Sequence, residues 1–297
     1  MKTLAFLLSL YKKRGKTQAD ERMFLEKFLQ LFKKKPPKAI KVGLALGSGG
    51  AKGFAHIGAL KAFEEHGVKF DVVAGTSIGS IVGAFYANGY SATDMLQLMR
   101  TVDFSDVKRF VMIRMNTDGV QRVLEKAIGD LEFSDLKLPF AAVATDFQTG
   151  QEVDLFAGKL SVALCASSAY PPFFKPVPVE NRLLMDGAFV NSVPADLVRG
   201  MGADYVVGVD LSAFRKQNKT GILSEFFPNS KIVTGNASLS GYRNSDVMVK
   251  PDLKNFKATQ LSSADEMYDL GYEAALAVLP QILGDLDRLR RGKKKGD

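Results

Sequence analysis

Cysteine, histidine and long apolar runs are the features that this chain of 297 residues has least of. A single cysteine, Cys165, cannot form an internal disulfide, and one cysteine with two histidines makes no zinc-type cluster. No apolar run approaches the roughly 18 residues of a spanning helix, which excludes a multi-pass membrane protein. Hydrophobic residues nevertheless make up 46% of the chain, too many for a disordered protein. We expect a soluble globular protein of a reducing compartment such as the cytoplasm.

The positive charge is concentrated at the two ends of the chain. Of the formal net charge of +8, residues 1–41 carry +9 and residues 288–297 carry +5, which leaves −6 for residues 42–287. A nucleic-acid-binding fold should carry its positive surface on the folded domain itself, so nucleic acid is not expected as a partner. Basic ends favour peripheral contact with an anionic surface such as the inner face of a membrane.

The N-terminal segment combines this charge with an amphipathic pattern. A helix with an apolar stripe and a basic flank is typical of contact with an anionic membrane surface. Two alternatives stay open: a secretory signal, although the apolar run is short and lacks a small-residue cleavage site, and packing of the helices on the body. The apolar residues at helical spacing are Leu4, Leu7, Leu8 and Tyr11, and then Phe24, Phe28, Leu31 and Phe32.

Pro36-Pro37 ends this segment and places a domain boundary near residue 38. Beyond it, apolar strand-like runs alternate with helical patterns, which predicts an α/β fold of three layers with a central, mainly parallel sheet. The predicted organisation is a basic amphipathic helical extension at 1–38, an α/β domain at 39–287 and a basic disordered tail at 288–297. Strands are predicted at 40–46, 72–74, 140–144 and 205–209, and helices at 55–66, 78–88 and 91–101.

A first candidate for catalysis follows the second predicted strand, in the sequence Gly75-Thr76-Ser77-Ile78-Gly79. It lies between a strand and a helix, which is the setting of a nucleophile elbow. Glycines at both ends let strand and helix approach, and the helix N-terminus favours negative charge beside Ser77. The pattern predicts Ser77 as a nucleophile, although it also occurs by chance in glycine-rich α/β chains.

A glycine-rich turn follows the first predicted strand, in the sequence Gly47-Ser48-Gly49-Gly50-Ala51-Lys52-Gly53. Successive backbone N–H groups in such a turn can bind a phosphate or an oxyanion. A P-loop is excluded by the neighbours of Lys52, and a dinucleotide site is disfavoured because Lys52 stands where the third glycine belongs. An oxyanion hole is favoured, and a tight turn without a ligand stays open.

The base that activates Ser77 must be found in a chain with two histidines. His66 ends a predicted helix, where a capping role suits it, and His56 lies on the oxyanion side of the site. A carboxylate should therefore take the serine proton directly, without a Ser-His-Asp triad. Asp186, at the end of an apolar run and the start of a turn, is the favoured base. The alternatives, also near strand ends, are Asp146, Asp154 and Asp210.

Three blocks in this order resemble the signature of the patatin-like phospholipases, in particular their bacterial branch. They are Gly49-Gly50-Ala51-Lys52-Gly53, Gly75-Thr76-Ser77-Ile78-Gly79 and Asp186-Gly187-Ala188. The resemblance implies a patatin-like fold with Ser77 as nucleophile, Asp186 as base and the amides of Gly49, Gly50 and Ala51 as an oxyanion hole. The residues that would support these loops are Gly47, Ser48, Lys52, Gly53, Gly75, Gly79 and Gly187.

The resemblance also implies a function. It indicates a serine carboxylic-ester hydrolase that cleaves fatty-acyl esters of membrane phospholipids, of phospholipase A or lysophospholipase type, without a metal or another cofactor. Two alternatives stay open: an esterase or thioesterase acting on small soluble acyl groups, and a non-catalytic regulatory protein that retains the fold. The sequence does not indicate the oligomeric state, so a homo-oligomer stays open.

The N-terminal segment generates a first prediction. Deletion of residues 1–35 should lower binding to vesicles that contain anionic phospholipid, because it removes both apolar stripes and many basic residues. Binding of the full chain, measured by vesicle co-sedimentation, should increase with the anionic fraction and decrease in high salt. Unchanged binding after the deletion would contradict a membrane role for this segment.

Overall fold

The structure is a computed structural model that describes residues 39–101, 117–212, 237 and 239–292. The helices predicted within residues 1–38, and residues 293–297 of the predicted tail, lie outside these ranges. Contacts between residues divide the chain into one compact unit, Ile40–Asp287, and a second made up of Met1–Ala39 and Arg288–Asp297. The candidate site lies in the first unit.

In the described residues, eight strands form one sheet, in which hydrogen bonds link β5-β6-β3-β2-β1-β7-β8 and β4 also pairs with β3. The pairs β1–β2, β1–β7, β2–β3 and β7–β8 are parallel, whereas β4, β5 and β6 pair in antiparallel fashion. Helices cover both sides of this sheet, which confirms the predicted α/β architecture. The strands are β1 (Val42–Leu46), β2 (Val72–Thr76), β3 (Phe140–Asp146), β4 (Glu152–Leu155), β5 (Val177–Val179), β6 (Arg182–Asp186), β7 (Tyr205–Val209) and β8 (Val247–Val249).

The α-helices of the described residues are α1 (Phe54–Glu65), α2 (Ile78–Ala87), α3 (Ala92–Thr101), α4 (Asp118–Ile128), α5 (Leu160–Ser167), α6 (Ala195–Gly200), α7 (Leu239–Asn244) and α8 (Ala264–Arg290). The first three are the helices that the sequence predicts. Helix α8 enters the stretch predicted as a disordered tail, where Arg288 and Arg290 in its last turn suit the negative end of the helix dipole. In the described ranges, no helix has both the length and the apolar character needed to cross a membrane.

Burial separates the central strands from those at one side of the sheet. Every residue of β1, β2, β3 and β7 is buried, as expected for strands with helices on both faces. In β4, exposed residues alternate with half-buried ones, and β5 has only three residues. The continuous apolar runs made the central strands predictable, whereas β4 and β5 gave no such signal.

The pairing of β3 with three strands positions the site. Strand β2 runs parallel to β3 and ends at Thr76, opposite Val143. Strand β6 runs antiparallel and ends at Asp186, opposite the next residue, Ala144. Because β4 pairs with both Val143 and Ala144 and thus occupies the other edge of β3, β2 and β6 must share one edge. They meet end to end there, which brings Ser77 next to Asp186.

Helices α1 and α8 approach each other closely at two glycines. A Cβ atom at Gly58 would lie 1.9 Å from the carbonyl oxygen of Tyr268, and one at Gly271 would lie 2.0 Å from that of Ala55. Any larger residue at either position would force the two helices apart. Because α1 directly follows the glycine-rich turn, its packing on α8 also supports that turn.

This contact generates a stability prediction. Gly271→Ala should lower the free energy of unfolding by about 1 to 3 kcal/mol, because its methyl group has no space against α1. Gly284→Ala, in the same helix and with no atom within 4 Å of the added Cβ, is the matched control. It should raise the free energy by up to about 1 kcal/mol, since alanine is the better helix former. Urea unfolding followed by circular dichroism measures both, and equal effects would contradict the close approach.

Candidate active site

Ser77 stands on a strained turn between β2 and α2. Its backbone angles are φ 57° and ψ −127°, a left-handed conformation that residues other than glycine seldom adopt. The flanking glycines make the turn sterically feasible. A Cβ at Gly75 would lie 2.2 Å from the carbonyl oxygen of Gly79, and one at Gly79 would lie 2.2 Å from that of Leu46. The local structure therefore has the form of the nucleophile elbow predicted from the sequence.

The hydroxyl of Ser77 contacts the carboxylate of Asp186 directly. Ser77 Oγ donates a hydrogen bond to Asp186 Oδ2 at 2.7 Å, and Asp186 Oδ1 accepts from the amide of Ala188 at 2.9 Å. Asp186 is 1% exposed and Ser77 is 9% exposed. A Cβ at Gly187 would lie 2.3 Å from the carbonyl oxygen of Val143, so this position needs glycine as well. The structure thus brings the two predicted residues together, 109 positions apart in the chain.

A third residue, Ser167, binds the backbone of the elbow. Its Oγ accepts a hydrogen bond from the Ser77 amide at 2.9 Å and donates one to the Val143 carbonyl at 2.6 Å. Sequence reasoning assigned no role to Ser167. The available signal was its position in the sequence Ala166-Ser167-Ser168-Ala169, which, beyond the three signature blocks, also resembles the family pattern.

The glycine-rich turn packs against the elbow. The amides of Gly47 and Ser48 donate to the carbonyls of Val209 and Ser192, which ties the turn to β7 and to the segment before α6. A Cβ at Gly53 would lie 2.2 Å from Ile78 Cγ1, the residue that begins α2. Gly50 has a φ of 59°, which favours glycine, and Lys52 is buried within the same turn. The predicted supporting residues therefore form one structure beside Ser77.

The amides of this turn differ in whether they can still bind a ligand. The amide of Ala51, expected to be a third oxyanion donor, donates instead to the carbonyl of Ala258 at 2.7 Å. This corrects the predicted oxyanion hole, because an amide already bound to a carbonyl is not available to substrate. Within the described residues, the Gly49 and Gly50 amides have no hydrogen-bond acceptor. The candidate oxyanion hole is reduced to these two.

His56 binds the backbone of the glycine-rich turn and is not the hydrogen-bond partner of Ser77. Its Nε2 lies 2.7 Å from the carbonyl oxygen of Gly47, a contact that requires a proton on Nε2. Complete burial lowers the pKa of His56 to about 4, so the imidazole is neutral at neutral pH. His66 instead places Nδ1 2.8 Å from the carbonyl oxygen of Ala62, near the end of α1.

The other candidate bases are engaged elsewhere. Asp146 Oδ1 accepts from the amides of Gln148 and Thr149, as in an Asx-turn. Asp210 accepts from Ser212 and, at 2.7 Å, from the hydroxyl of Tyr242. Asp154 is exposed on β4. Of the four aspartates considered, Asp186 is the one bonded to Ser77. In the part of the chain that the structure describes, no group of three or more His, Cys, Asp or Glu side chains is arranged to hold a metal ion.

Comparison with known proteins identifies the family of this chain. A family model described as Patatin-like phospholipase matches residues 44–199, a range that includes the glycine-rich turn, Ser77 and Asp186. The chain belongs to the patatin-like phospholipase family. Membership confirms the resemblance seen in the sequence and makes this a protein of a lipid-hydrolysing esterase family.

This patatin-like chain matches only part of the length of its relatives. Patatin-like phospholipase domain-containing protein 6 of Mus musculus is 30% identical over 275 residues, which cover 80% of this chain and 20% of that protein. An uncharacterized NTE family protein of Mycobacterium tuberculosis is 33% identical over 178 residues, covering 58% of this chain and 49% of that protein. The chain thus spans about a fifth of the first relative and about half of the second.

A solved structure supports the fold of this patatin-like domain. The crystal structure of VipD from Legionella pneumophila aligns with a TM-score of 0.56 at 14% sequence identity, covering 82% of this chain and 67% of that one. At this identity the likeness concerns the fold alone. It agrees with the three-layer arrangement around the sheet described above.

The burial of His56 generates a pH prediction. The unfolded chain takes up a proton on this histidine as the pH falls below its ordinary pKa of 6.5, whereas the folded protein resists it down to about 4. The folded protein should therefore lose stability as the pH falls through this range, by about 2 kcal/mol at pH 5. His56→Gln cannot take up that proton.

The measurement is the free energy of unfolding of wild type and His56→Gln from urea titrations at pH 7 and pH 5. Groups common to both proteins cancel in the difference. The advantage of wild type over the variant should shrink by about 2 kcal/mol at the lower pH. A difference that does not change with pH would contradict a buried, neutral His56.

Proposed function

We propose that the protein hydrolyses fatty-acyl esters of phospholipids, as a phospholipase A or lysophospholipase, with Ser77 as nucleophile and Asp186 as base. The observation that carries the proposal is the 2.7 Å hydrogen bond from Ser77 Oγ to Asp186 Oδ2 in a nearly buried site. Membership of the patatin-like phospholipase family supports a lipid ester as the substrate class.

The first step follows from that hydrogen bond. Ser77 Oγ attacks the ester carbonyl carbon while its proton moves to Asp186 Oδ2, and the carbonyl electron pair moves onto the oxygen. A carboxylate can accept this proton without an imidazole because Ser77 Oγ and Asp186 Oδ2 are already hydrogen-bonded before the reaction. The second carboxylate oxygen stays bound to the Ala188 amide, which fixes the orientation of the base.

The oxygen that becomes negative needs hydrogen-bond donors. The amides of Gly49 and Gly50 are suited to this role because they lie in the turn packed against the elbow and have no acceptor among the described residues. The N-terminus of α2, directly after Ser77, adds a favourable field. One such donor typically stabilises a transition state by about 3 to 4 kcal/mol.

The tetrahedral intermediate then releases the alcohol. The bond from the acyl carbon to the alcohol oxygen breaks, and the leaving oxygen takes the proton that Asp186 received. In the second half, Asp186 accepts a proton from water as the water attacks the acyl-serine. Collapse releases the fatty acid, and the same proton returns to Ser77 Oγ. Each half of the reaction therefore uses the same base and the same donors.

An apolar cluster close to the base supports a long acyl chain as part of the substrate. Met185 and Phe189 are buried together, with Phe147 and Tyr170 packed against them. The Tyr170 ring stacks on Phe189 with centroids 4.9 Å apart, and burial, with a smaller effect from the Asp186 charge, raises the pKa of its phenol. We infer that the acyl chain lies against the half-buried rings of Phe147 and Tyr170, which the buried pair supports from behind, whereas a small soluble ester would not need this apolar contact.

The proposal also covers location and partners. Basic residues at both ends of the chain would hold the protein at the anionic inner face of a membrane, close to its substrate. A homo-oligomer stays open. The membrane contact of residues 1–38 stays a prediction, because these residues lie outside the described ranges.

Two substitutions test the dyad. Ser77→Ala removes the nucleophile and Asp186→Asn removes the base while retaining its shape, so each should lower phospholipid hydrolysis by at least about 1,000-fold. Ser77→Ala should also abolish labelling by a fluorophosphonate. The matched controls Asp146→Asn and Asp210→Asn should retain activity. The measurement is mass-spectrometric identification of the products from a defined two-chain phospholipid, which also identifies the ester that is cleaved.

The outcomes separate this function from its alternatives. Full activity in Asp186→Asn, with loss in one of the control variants, would transfer the role of base to that aspartate. Hydrolysis of short soluble esters or thioesters without hydrolysis of phospholipid would favour a small-substrate esterase. A wild-type protein that neither labels nor hydrolyses any ester would favour a non-catalytic regulatory role.

A further inference from the structure

The end of helix α5 binds the backbone of both residues of the proposed dyad. Ser167, the last residue of α5, accepts the Ser77 amide at 2.9 Å through its hydroxyl oxygen. Two residues later, the carbonyl of Ala169 accepts the Asp186 amide at 3.1 Å. The short segment 167–169 therefore binds the backbone of both the nucleophile and the base, although Ser77 follows β2 and Asp186 ends β6.

The Ser167 hydroxyl binds the Ser77 amide at a point where no strand of the described sheet pairs with Ser77. Strand β2 ends opposite Val143, and Ser77 then turns out of the strand direction at its positive φ. The next position on the edge of β3 belongs to β6 and Asp186. A hydroxyl can accept and donate at once, and that of Ser167 links the Ser77 amide to the Val143 carbonyl.

We propose that Ser167 is a positioning residue for the reaction: its hydroxyl fixes the backbone of Ser77 and thereby the position of Ser77 Oγ relative to Asp186. Ser167 is fully buried, so bulk water does not replace its hydroxyl. Because the hydroxyl binds the Ser77 amide, it also keeps this amide out of the oxyanion hole and leaves that role to the glycine-rich turn. This inference rests on the proposed function.

The same helix supplies a matched control. Ser161, at the other end of α5, is 1% exposed and its hydroxyl donates to Glu125 Oε1 at 2.9 Å. Ser161→Ala and Ser167→Ala both delete one buried hydroxyl from one helix. They differ in that only the Ser167 hydroxyl, of these two, contacts the elbow. The neighbouring residue, Ser168, also has a buried hydroxyl, but this hydroxyl has no hydrogen-bond partner among the described residues. The proposed effect of Ser167 therefore depends on its hydrogen bonds and not on its position near the elbow alone.

The first measurement is the kinetics of phospholipid hydrolysis and of fluorophosphonate labelling. Ser167→Ala should lower kcat and the labelling rate by about 10- to 100-fold, the effect expected from a misplaced nucleophile, with KM within about two-fold of wild type. Ser161→Ala should leave both rates within about three-fold of wild type. A merely structural role would lower the unfolding temperature of both variants without this difference in kcat.

The second measurement does not depend on activity. Hydrogen exchange of the peptide that contains residue 77 should be faster in Ser167→Ala, because the Ser77 amide loses its hydrogen-bond acceptor. It should be unchanged in Ser161→Ala. Equal kcat in the two variants, or normal kcat in Ser167→Ala despite faster exchange, would overturn the proposal. Failure of the proposed function would look different: ester hydrolysis by the wild-type protein would then persist in Ser77→Ala.

Discussion

The candidate site depends on two strands that run toward each other along one edge of β3. Strand β2 ends opposite Val143 and β6 ends opposite Ala144, so adjacent positions of one strand determine where Ser77 and Asp186 stand. Short side chains are then sufficient to form the 2.7 Å contact. A register shift of one residue in β6 would turn Asp186 to the other face of the sheet. Register in the core is thus the physical basis of the proposed chemistry.

This arrangement requires backbone to pack on backbone, and glycine is what permits it. At Gly75, Gly79 and Gly187 the nearest obstacle to an added Cβ is a carbonyl oxygen 2.2 to 2.3 Å away. The strain of a non-glycine residue at positive φ, of the order of 1 to 3 kcal/mol, is tolerated only where surrounding contacts determine the conformation. At Ser77 those contacts include the Ser167 hydroxyl and the tightly packed start of α2. The conformation of Ser77 therefore depends on the surrounding glycines, on Ser167 and on α2 together, and not on the local sequence alone.

The sequence was most informative where local pattern and tertiary role coincide. Strands β1, β2, β3 and β7 are buried on both faces and so appear as apolar runs, and the elbow follows one of them. The pairing of β4 and β6 with β3 left no such trace, since it depends on which edge of β3 is free. The partner of the Ala51 amide, the carbonyl of Ala258, lies far along the chain, and no local rule points to it. Ser167 acts across the chain in the same way.

The electrostatics of the site suit the proposed reaction, in which a buried carboxylate acts in place of an imidazole. Neutral His56 donates to the Gly47 carbonyl, so this histidine adds no charge beside the Gly49 and Gly50 amides, the proposed oxyanion donors. In the proposed reaction, Asp186 becomes neutral as it takes the serine proton, and the negative charge appears on the substrate oxygen. The total charge of the buried site stays constant. The negative charge moves from the Asp186 carboxylate, which the Ala188 amide stabilises, to an oxygen that the amides of the glycine-rich turn would stabilise. Because both sets of dipoles are fixed by the fold, the transfer needs little reorganisation.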